Sequence, residues 1–169
     1  MATDPPMPAA VAALVERFTH ACDADLRAGR ALKPTAHFGK FGGELQSLTI
    51  RTASIASKQI SVQKIRIAAA KLDADFVLVA MEAWGLPPEH LSNYNAILRD
   101  YGSIAASPFK TNLFVVTVET HEGTWSGSAE QVRHGKFGHT VRGVPDMLFV
   151  DKIEGVLAML LMPRGTMRH

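Results

Sequence analysis

The sequence predicts an α+β protein in which two or three helices pack on a mainly antiparallel sheet of about six or seven strands. Two patterns carry this prediction: apolar residues recur at helical spacing near the start, and short β-rich runs separated by glycine-containing turns follow. The chain has 169 residues, 47% of them hydrophobic and 20% charged. Because a chain of this length buries roughly 70% of its unfolded surface, we expect one globular domain over residues 1–169, with disordered ends at 1–7 and 164–169.

The first fifty residues predict a helix followed by a hairpin. Residues 8–29 predict an amphipathic helix that ends at Gly29, and residues 33–52 predict two strands that turn at Gly42 and Gly43. The helix is indicated by a stripe of apolar side chains at three- and four-residue spacings, namely Val11, Leu14, Val15, Phe18, Cys22 and Leu26.

The middle of the chain predicts a second helix and the central strand. Ser61 is a suitable N-cap for a helix that continues to Leu72. Residues 76–84 form a nearly continuous apolar run, as expected for a strand that is covered on both faces and lies centrally in the sheet. Two prolines at positions 87 and 88 then end this strand and open a short helix over residues 89–99.

The second half predicts two strand pairs separated by a loop. Residues 113–120 and 124–132 predict a hairpin, because two β-rich runs flank a short polar turn. Residues 133–144 predict a loop, since they are rich in glycine and show little periodicity. Residues 147–150 and 156–162 predict a last pair of strands.

The composition also indicates the cellular compartment of the protein. A single cysteine fits a reducing environment, and the first ten residues carry Asp4 and three prolines where a signal peptide would carry positive charge and an apolar stretch. No stretch approaches the roughly 20 apolar residues that span a bilayer. We therefore expect a cytoplasmic protein without a membrane segment.

Positive charge is concentrated in one part of the chain. Residues 26–71 contain nine basic residues against one acid, Glu44, a net charge of +8, whereas the whole chain carries +2. Lys64 and Lys71 lie seven positions apart, so both face one side of the predicted second helix. The sequence therefore predicts a basic face for an anionic partner, built from Lys40, Arg51, Lys58, Lys64 and Lys71. The alternative is that these side chains pair with acids elsewhere or are simply solvated.

The tetrapeptide Gly-Lys-Phe-Gly occurs twice, at residues 39–42 and 135–138. Glycines let backbone N–H groups converge on an anion while the lysine adds positive charge. The second copy has more basic and histidine neighbours, which makes it a second candidate anion site, or else a hairpin loop in which the glycines serve turn geometry. Its candidate residues are Arg133, Lys136, His139 and Arg142.

Several catalytic signatures begin in this sequence, and none is complete. His121 and Glu122 begin a zinc-protease motif, but Trp125 stands where the second histidine is required. The Walker, nucleophile-elbow and dinucleotide-binding patterns also lack essential residues. Cys22 lies on the apolar stripe and is interpreted as a small buried hydrophobe. We therefore expect no cofactor and no metal ion.

Three side chains form the candidate catalytic set. Glu82 is the sole carboxylate in the apolar run, where desolvation would raise its pKa. Glu119 and His121 leave the same side of a later strand, so a carboxylate and an imidazole could meet for acid–base chemistry. The alternative is that Glu82 pairs with a base near its strand end and the other two lie on a solvated hairpin.

These patterns leave three hypotheses for function. The leading one is a binding or regulatory protein for nucleic acid or a phosphorylated ligand, held by the basic segment. The second is a hydrolase, acting on phosphoesters, that uses Glu82, Glu119, His121 or His139. The third is a protein-interaction module or homo-oligomer, whose contact region would be an edge strand or the methionine-rich end of the chain: Met147, Met159, Met162 and Met167.

Overall fold

The computed structural model describes residues 3–151 and 160–161. Within these residues three α-helices pack against a curled antiparallel sheet, which confirms the predicted α+β class. The helices are α1 (Ala9–Arg27), α2 (Ile55–Lys71) and α3 (Tyr94–Tyr101), and a 3-10 helix (Pro88–Asn93) precedes α3. The strands are β1 (Thr35–Gly39), β2 (Leu45–Thr49), β3 (Phe76–Gly85), β4 (Thr111–Thr120), β5 (Gly123–His134), β6 (Gly138–Val141) and β7 (Leu148–Phe149).

Strand β3 lies inside the sheet, as its apolar sequence predicts. The strand order is β2-β1-β3-β4-β5-β6, and β7 also pairs with β5. Residues 76–80 are buried on both faces because successive side chains point to opposite sides. Phe76 and Leu78 enter the core shared with α1, which we call the α1-side core, whereas Val77 and Val79 enter the core shared with α2.

Helix α2 begins six residues before the predicted cap at Ser61. Its N-cap is Ser54, whose hydroxyl accepts a hydrogen bond from the Ser57 N–H at 3.0 Å, while the Ser57 hydroxyl accepts one from the Ser54 N–H. This reciprocal capping box satisfies donors that the start of a helix leaves free. Ser61 lies inside the helix and donates to the Ser57 carbonyl oxygen. The prediction for the start of α2 was therefore wrong, because several serines of this segment are suitable caps.

The predicted loop over residues 133–144 contains a strand. Strand β6 pairs with the end of β5, so that Arg133 lies opposite His139 and His134 opposite Gly138. Gly138 is a strand residue in close contact with α1: a Cβ atom there would lie 2.4 Å from the carbonyl oxygen of Arg27. Only glycine fits at this approach, so the residue that indicated a loop is needed for helix–strand packing.

The last predicted strand pair is described only in part. Leu148 and Phe149 form β7, opposite Ser126 and Trp125 of β5. The predicted partner strand, residues 156–162, lies outside the described residues except for Leu160 and Leu161. Of the predicted disordered ends, Met7 packs against the α1-side core, and residues 164–169 lie outside the described part.

The side chain of Asp23 links α1 to β6 through hydrogen bonds. Its carboxylate accepts hydrogen bonds from the Val141 N–H at 2.8 Å, the Thr140 hydroxyl at 2.9 Å and the Arg27 Nε at 2.8 Å. Partial desolvation opposes ionisation, but these hydrogen bonds and the Arg27 charge outweigh it and lower the pKa of Asp23. The carboxylate is therefore ionised at neutral pH and holds the edge strand on the helix.

Replacing Asp23 should destabilise the fold in a pH-dependent way. Asp23→Ala leaves the Val141 N–H without its acceptor, and we expect a loss of ~1–3 kcal/mol in urea unfolding at pH 7. Asp23→Asn retains an oxygen acceptor and should cost less. Because the folded-state pKa is lowered, the stabilisation by the carboxylate is present above the unfolded-state pKa and is lost as the pH falls through the folded-state value. A constant difference between wild type and Asp23→Asn down to strongly acidic pH would contradict this role.

Candidate functional site

A groove between the end of β2 and the outer side of α2 brings together two of the predicted anion-binding residues, Arg51 and Lys64. The cavity has a volume of about 280 Å³. Both cations are exposed, and the groove also contains hydroxyl groups. Its walls are formed by Leu48, Thr49, Arg51, Ser57, Ile60, Ser61 and Lys64.

The buried hydroxyl of Ser61 positions Arg51 in this groove. It accepts a hydrogen bond from the Arg51 N–H at 3.0 Å and donates one to the Ser57 carbonyl oxygen at 3.0 Å. Arg51, the second residue after β2, is thereby held against α2 at Ser61, about one helical turn from Lys64. Sequence reasoning singled out Ser61 as a cap and missed this role, because the bond to Arg51 depends on the hairpin packing beside the helix.

Arg51 and Lys64 differ from Arg27, Arg30 and Lys40 of the basic segment, which form ion pairs with carboxylates. Within the described part of the chain, neither side chain forms an ion pair with a carboxylate. Lys40, in contrast, lies 3.5 Å from the Asp73 carboxylate. The charge of the groove is thus available to a ligand.

The other two predicted residues of α2 lie on different sides of the helix. Lys71 is exposed and shares the side of Lys64, since seven residues make nearly two turns; the two Cα atoms are about 10 Å apart. Lys58 is half-buried on the inward stripe with Val62 and Ile65. The predicted basic face therefore consists of Arg51, Lys64 and Lys71, without Lys58.

The two Gly-Lys-Phe-Gly copies have different structures. In the first copy Gly39 belongs to a strand, where a Cβ atom would lie 2.4 Å from the Glu44 carbonyl oxygen, and Gly42 has a φ of +71°. In the second copy this order is reversed, because Gly135 has a φ of +66° and Gly138 is the crowded strand residue. In both copies the glycines serve turn geometry and close packing, and the two copies are not structural repeats.

The first copy already binds acidic groups of the same chain. The Phe41 N–H donates to the Asp75 carboxylate at 3.0 Å, beside the Lys40–Asp73 ion pair. The Phe41 N–H and the Lys40 ammonium group thus bind anionic groups, as the sequence suggests. The anions here, however, are the protein's own carboxylates.

The second copy forms the β5–β6 turn at the opposite edge of the sheet from β2. Five strand spacings separate these edges, or about 24 Å, so its cations do not extend the groove. The Arg142 guanidinium lies 3.6 Å from the Glu130 carboxylate, and Arg133 donates to the Lys136 carbonyl oxygen at 3.3 Å. His139, opposite Arg133, is half-buried. The nine predicted anion-binding residues do not form one surface.

The three predicted catalytic residues do not converge. Glu82 is exposed, so the expected desolvation does not occur; the far end of β3 extends beyond the helices that cover residues 76–80. Glu82 pairs with Phe114, whereas Glu119 pairs with Val77, five residues or about 17 Å along the strand.

Glu119 and His121 are each engaged with the backbone. The Glu119 carboxylate is buried and accepts a hydrogen bond from the Leu161 N–H at 2.8 Å. The His121 ring lies with Nε2 3.0 Å from the Ala74 carbonyl oxygen; a carbonyl only accepts, so Nε2–H is the donor. Both contacts hold neighbouring segments together.

Two half-buried titratable groups, His37 and Cys22, contribute no charge to the groove. The His37 ring packs 4.3 Å from the Phe18 ring, and burial lowers the pKa of its imidazole. Cys22 packs against the α1-side core; burial, together with the nearby Asp25 charge, raises the pKa of its thiol to about 11. Cys22 therefore fits the predicted small hydrophobe.

The thiol pKa predicts how Cys22 reacts. Because the thiolate is the nucleophile, alkylation of the folded chain by iodoacetamide should be slow at pH 8 and accelerate up to about pH 11. Mass spectrometry at a series of pH values measures this rate, with the urea-unfolded chain as the control. Equal rates for folded and unfolded chains at pH 8 would contradict the assignment.

Among residues 3–151 and 160–161, no three His, Cys, Asp or Glu side chains lie close enough together to hold a metal ion. In the same residues, no helix has both the length and the apolar character needed to cross a membrane. The chain matches no protein-family model, no curated protein and no solved structure.

Proposed function

We propose that the protein binds a phosphate-bearing ligand, held by Arg51 and Lys64 in the groove between β2 and α2. The observation that carries the proposal is the presence of two exposed cations in one hydroxyl-lined cavity, neither paired with a carboxylate of the described residues. Guanidinium and ammonium groups are the usual protein partners of phosphate, the former in bidentate geometry and the latter as a point charge.

The lining of the groove favours recognition by charge. Among the residues that the structure describes, no aromatic side chain lines it, so these residues offer bases no ring on which to stack. Phe38 is buried in the core, and the Phe41 ring stacks on Phe76 with centroids 5.3 Å apart. A nucleic acid would therefore be held through its phosphates without sequence preference, and Lys71 could contact a further phosphate along the helix.

Reversing the charge in the groove should weaken binding of a polyanion. Fluorescence anisotropy with labelled mixed-sequence DNA and RNA oligonucleotides, at low and moderate salt and with pyrophosphate as competitor, measures this binding. We expect Arg51→Glu and Lys64→Glu each to reduce affinity at least about 5-fold and to lower the salt slope by ~0.7 for a single strand. All these side chains are exposed, so melting temperatures should not change.

Lys136→Glu is the matched control, because it makes the same charge change on an exposed residue at the opposite edge of the sheet. At moderate salt, about 0.1 M, the Debye length is ~10 Å, so the affinity of this variant should stay within about 2-fold of wild type. If Lys136→Glu weakened binding and Lys64→Glu did not, the groove would be rejected in favour of the β5–β6 turn. Absence of binding to oligonucleotides and pyrophosphate at low salt would reject the proposal altogether.

No observation favours a second function at present. The hydrolase hypothesis lacks a cluster of catalytic side chains, because Glu82 is remote from Glu119 and His121. For the interaction module, Met147 packs against the α1-side core, and the other three methionines lie outside the described residues. Both stay predictions from the sequence.

A further inference from the structure

A second, larger cavity lies at the other end of the sheet. Its volume is about 520 Å³, within the range of small-molecule sites. It is formed where the segment between β3 and β4, which carries the 3-10 helix and α3, meets the end of β3, the start of β4 and the middle of β5. Gly85 makes room there, because a Cβ atom would lie 2.3 Å from the Leu113 side chain.

The cavity has one apolar side and one polar side. The apolar side comes from Leu86, Tyr94 and Leu113, among others, and the polar side from Thr111, Ser128 and Glu130. Glu130 is the sole charged residue among the described residues that line it. An apolar cavity with a single carboxylate in its wall is complementary to a ligand that combines apolar groups with a positive charge.

The Glu130 carboxylate is held at the wall by two neighbours. The Thr111 hydroxyl lies 3.5 Å from Oε1, and an Arg142 guanidinium nitrogen lies 3.6 Å from Oε2. Both side chains of the ion pair are partly exposed, at 69% for Arg142 and 39% for Glu130, and such pairs contribute little to stability. A cation in the cavity can therefore replace Arg142 as the partner of Glu130.

Trp84 also lies at this end of β3, but its side chain projects from the other face of the sheet. Leu113 is paired with Ala83 and with Glu130, so these three side chains share one face, whereas Trp84 is the residue after Ala83. The ammonium group of Lys110 lies over the Trp84 ring, 4.4 Å from the centroid. This cation–π pair is therefore separate from the carboxylate, and among the described lining residues Glu130 alone supplies the charge that a ligand meets in the cavity.

We propose that this cavity binds an organic cation, an ammonium ion with apolar substituents, with Glu130 as its counter-ion and the leucine and aromatic side chains around its apolar part. Arg142 occupies the carboxylate in the free protein, and a ligand competes with it. This proposal does not depend on the Arg51–Lys64 groove, which lies on another part of the surface.

Choline and 3,3-dimethylbutan-1-ol are suitable probes, because they have nearly the same size and shape and differ in charge. Each is titrated into the ¹⁵N-labelled full chain, and the amide resonances of Thr111, Ser128 and Glu130 are followed. We expect saturable shifts of these resonances with choline and at least about 5-fold weaker binding of the neutral alcohol, because only choline carries a charge that the carboxylate can pair with.

Removing either charge of the Glu130–Arg142 ion pair should change the affinity for choline in opposite directions. Glu130→Gln should weaken choline binding about 5-fold or more, whereas Arg142→Gln should strengthen it, because the carboxylate loses its competitor. Glu122→Gln removes the same charge from an exposed turn at the other end of β4 and is the control. The gain in affinity for Arg142→Gln cannot result from misfolding, so the test does not depend on the stability of the Glu130 variant.

Three results would overturn the proposal. Equal affinities for choline and the alcohol would show that charge is not recognised. Shifts that map elsewhere, or no shifts with either probe at tens of millimolar, would show that the cavity does not bind such ligands. A weakening by Arg142→Gln would show that Glu130 does not act as the counter-ion. The oligonucleotide measurement has no bearing on these outcomes, so either proposal can fail alone.

Discussion

The burial of residues 76–80 of β3 on both faces is the constraint on which the rest of the structure depends. Alternate side chains of this segment enter two separate cores, so α1 must cover one face of the sheet and α2 the other. The centre of the sheet therefore has no surface for a ligand. The groove and the Glu130 cavity lie at the periphery of the sheet: one beside α2, the other beyond the last covered residues of β3.

Elements with strong apolar patterns were predictable from the sequence, and those that depend on distant partners were not. The apolar stripe of α1 and the apolar run of β3 predicted bounds for these two elements that are close to the observed ones. The start of α2 was missed because Ser54, Ser57 and Ser61 are all suitable caps, and only packing against the hairpin decides among them. Strand β6 has four residues, and it exists because β5 and α1 flank it.

The same distinction applies to the candidate sites. Helical spacing correctly placed Lys64 and Lys71 on one side of α2, and the same spacing, given the true start of the helix, turns Lys58 inward. The sequence could not show that Lys40 is paired, because Asp73 lies 33 residues away. Nor could it show the cavity at Glu130, which forms only when the segment before β4 folds back over three strands of the sheet.

The Asp23 contacts also affect the order of folding. The hydrogen bonds from Thr140 and Val141 connect residues 117 and 118 positions apart, whereas the β4–β5 turn joins neighbouring strands. Closing so long a loop has a large entropic cost, which is recovered only once both partners are in place. Docking of β6 on α1 should thus be a late event, and a chain interrupted at this step would leave the short edge strand β6, paired only with β5, without the helix that covers it. An uncovered edge strand can pair with strands of other molecules, so loss of the Asp23 contacts should also favour aggregation.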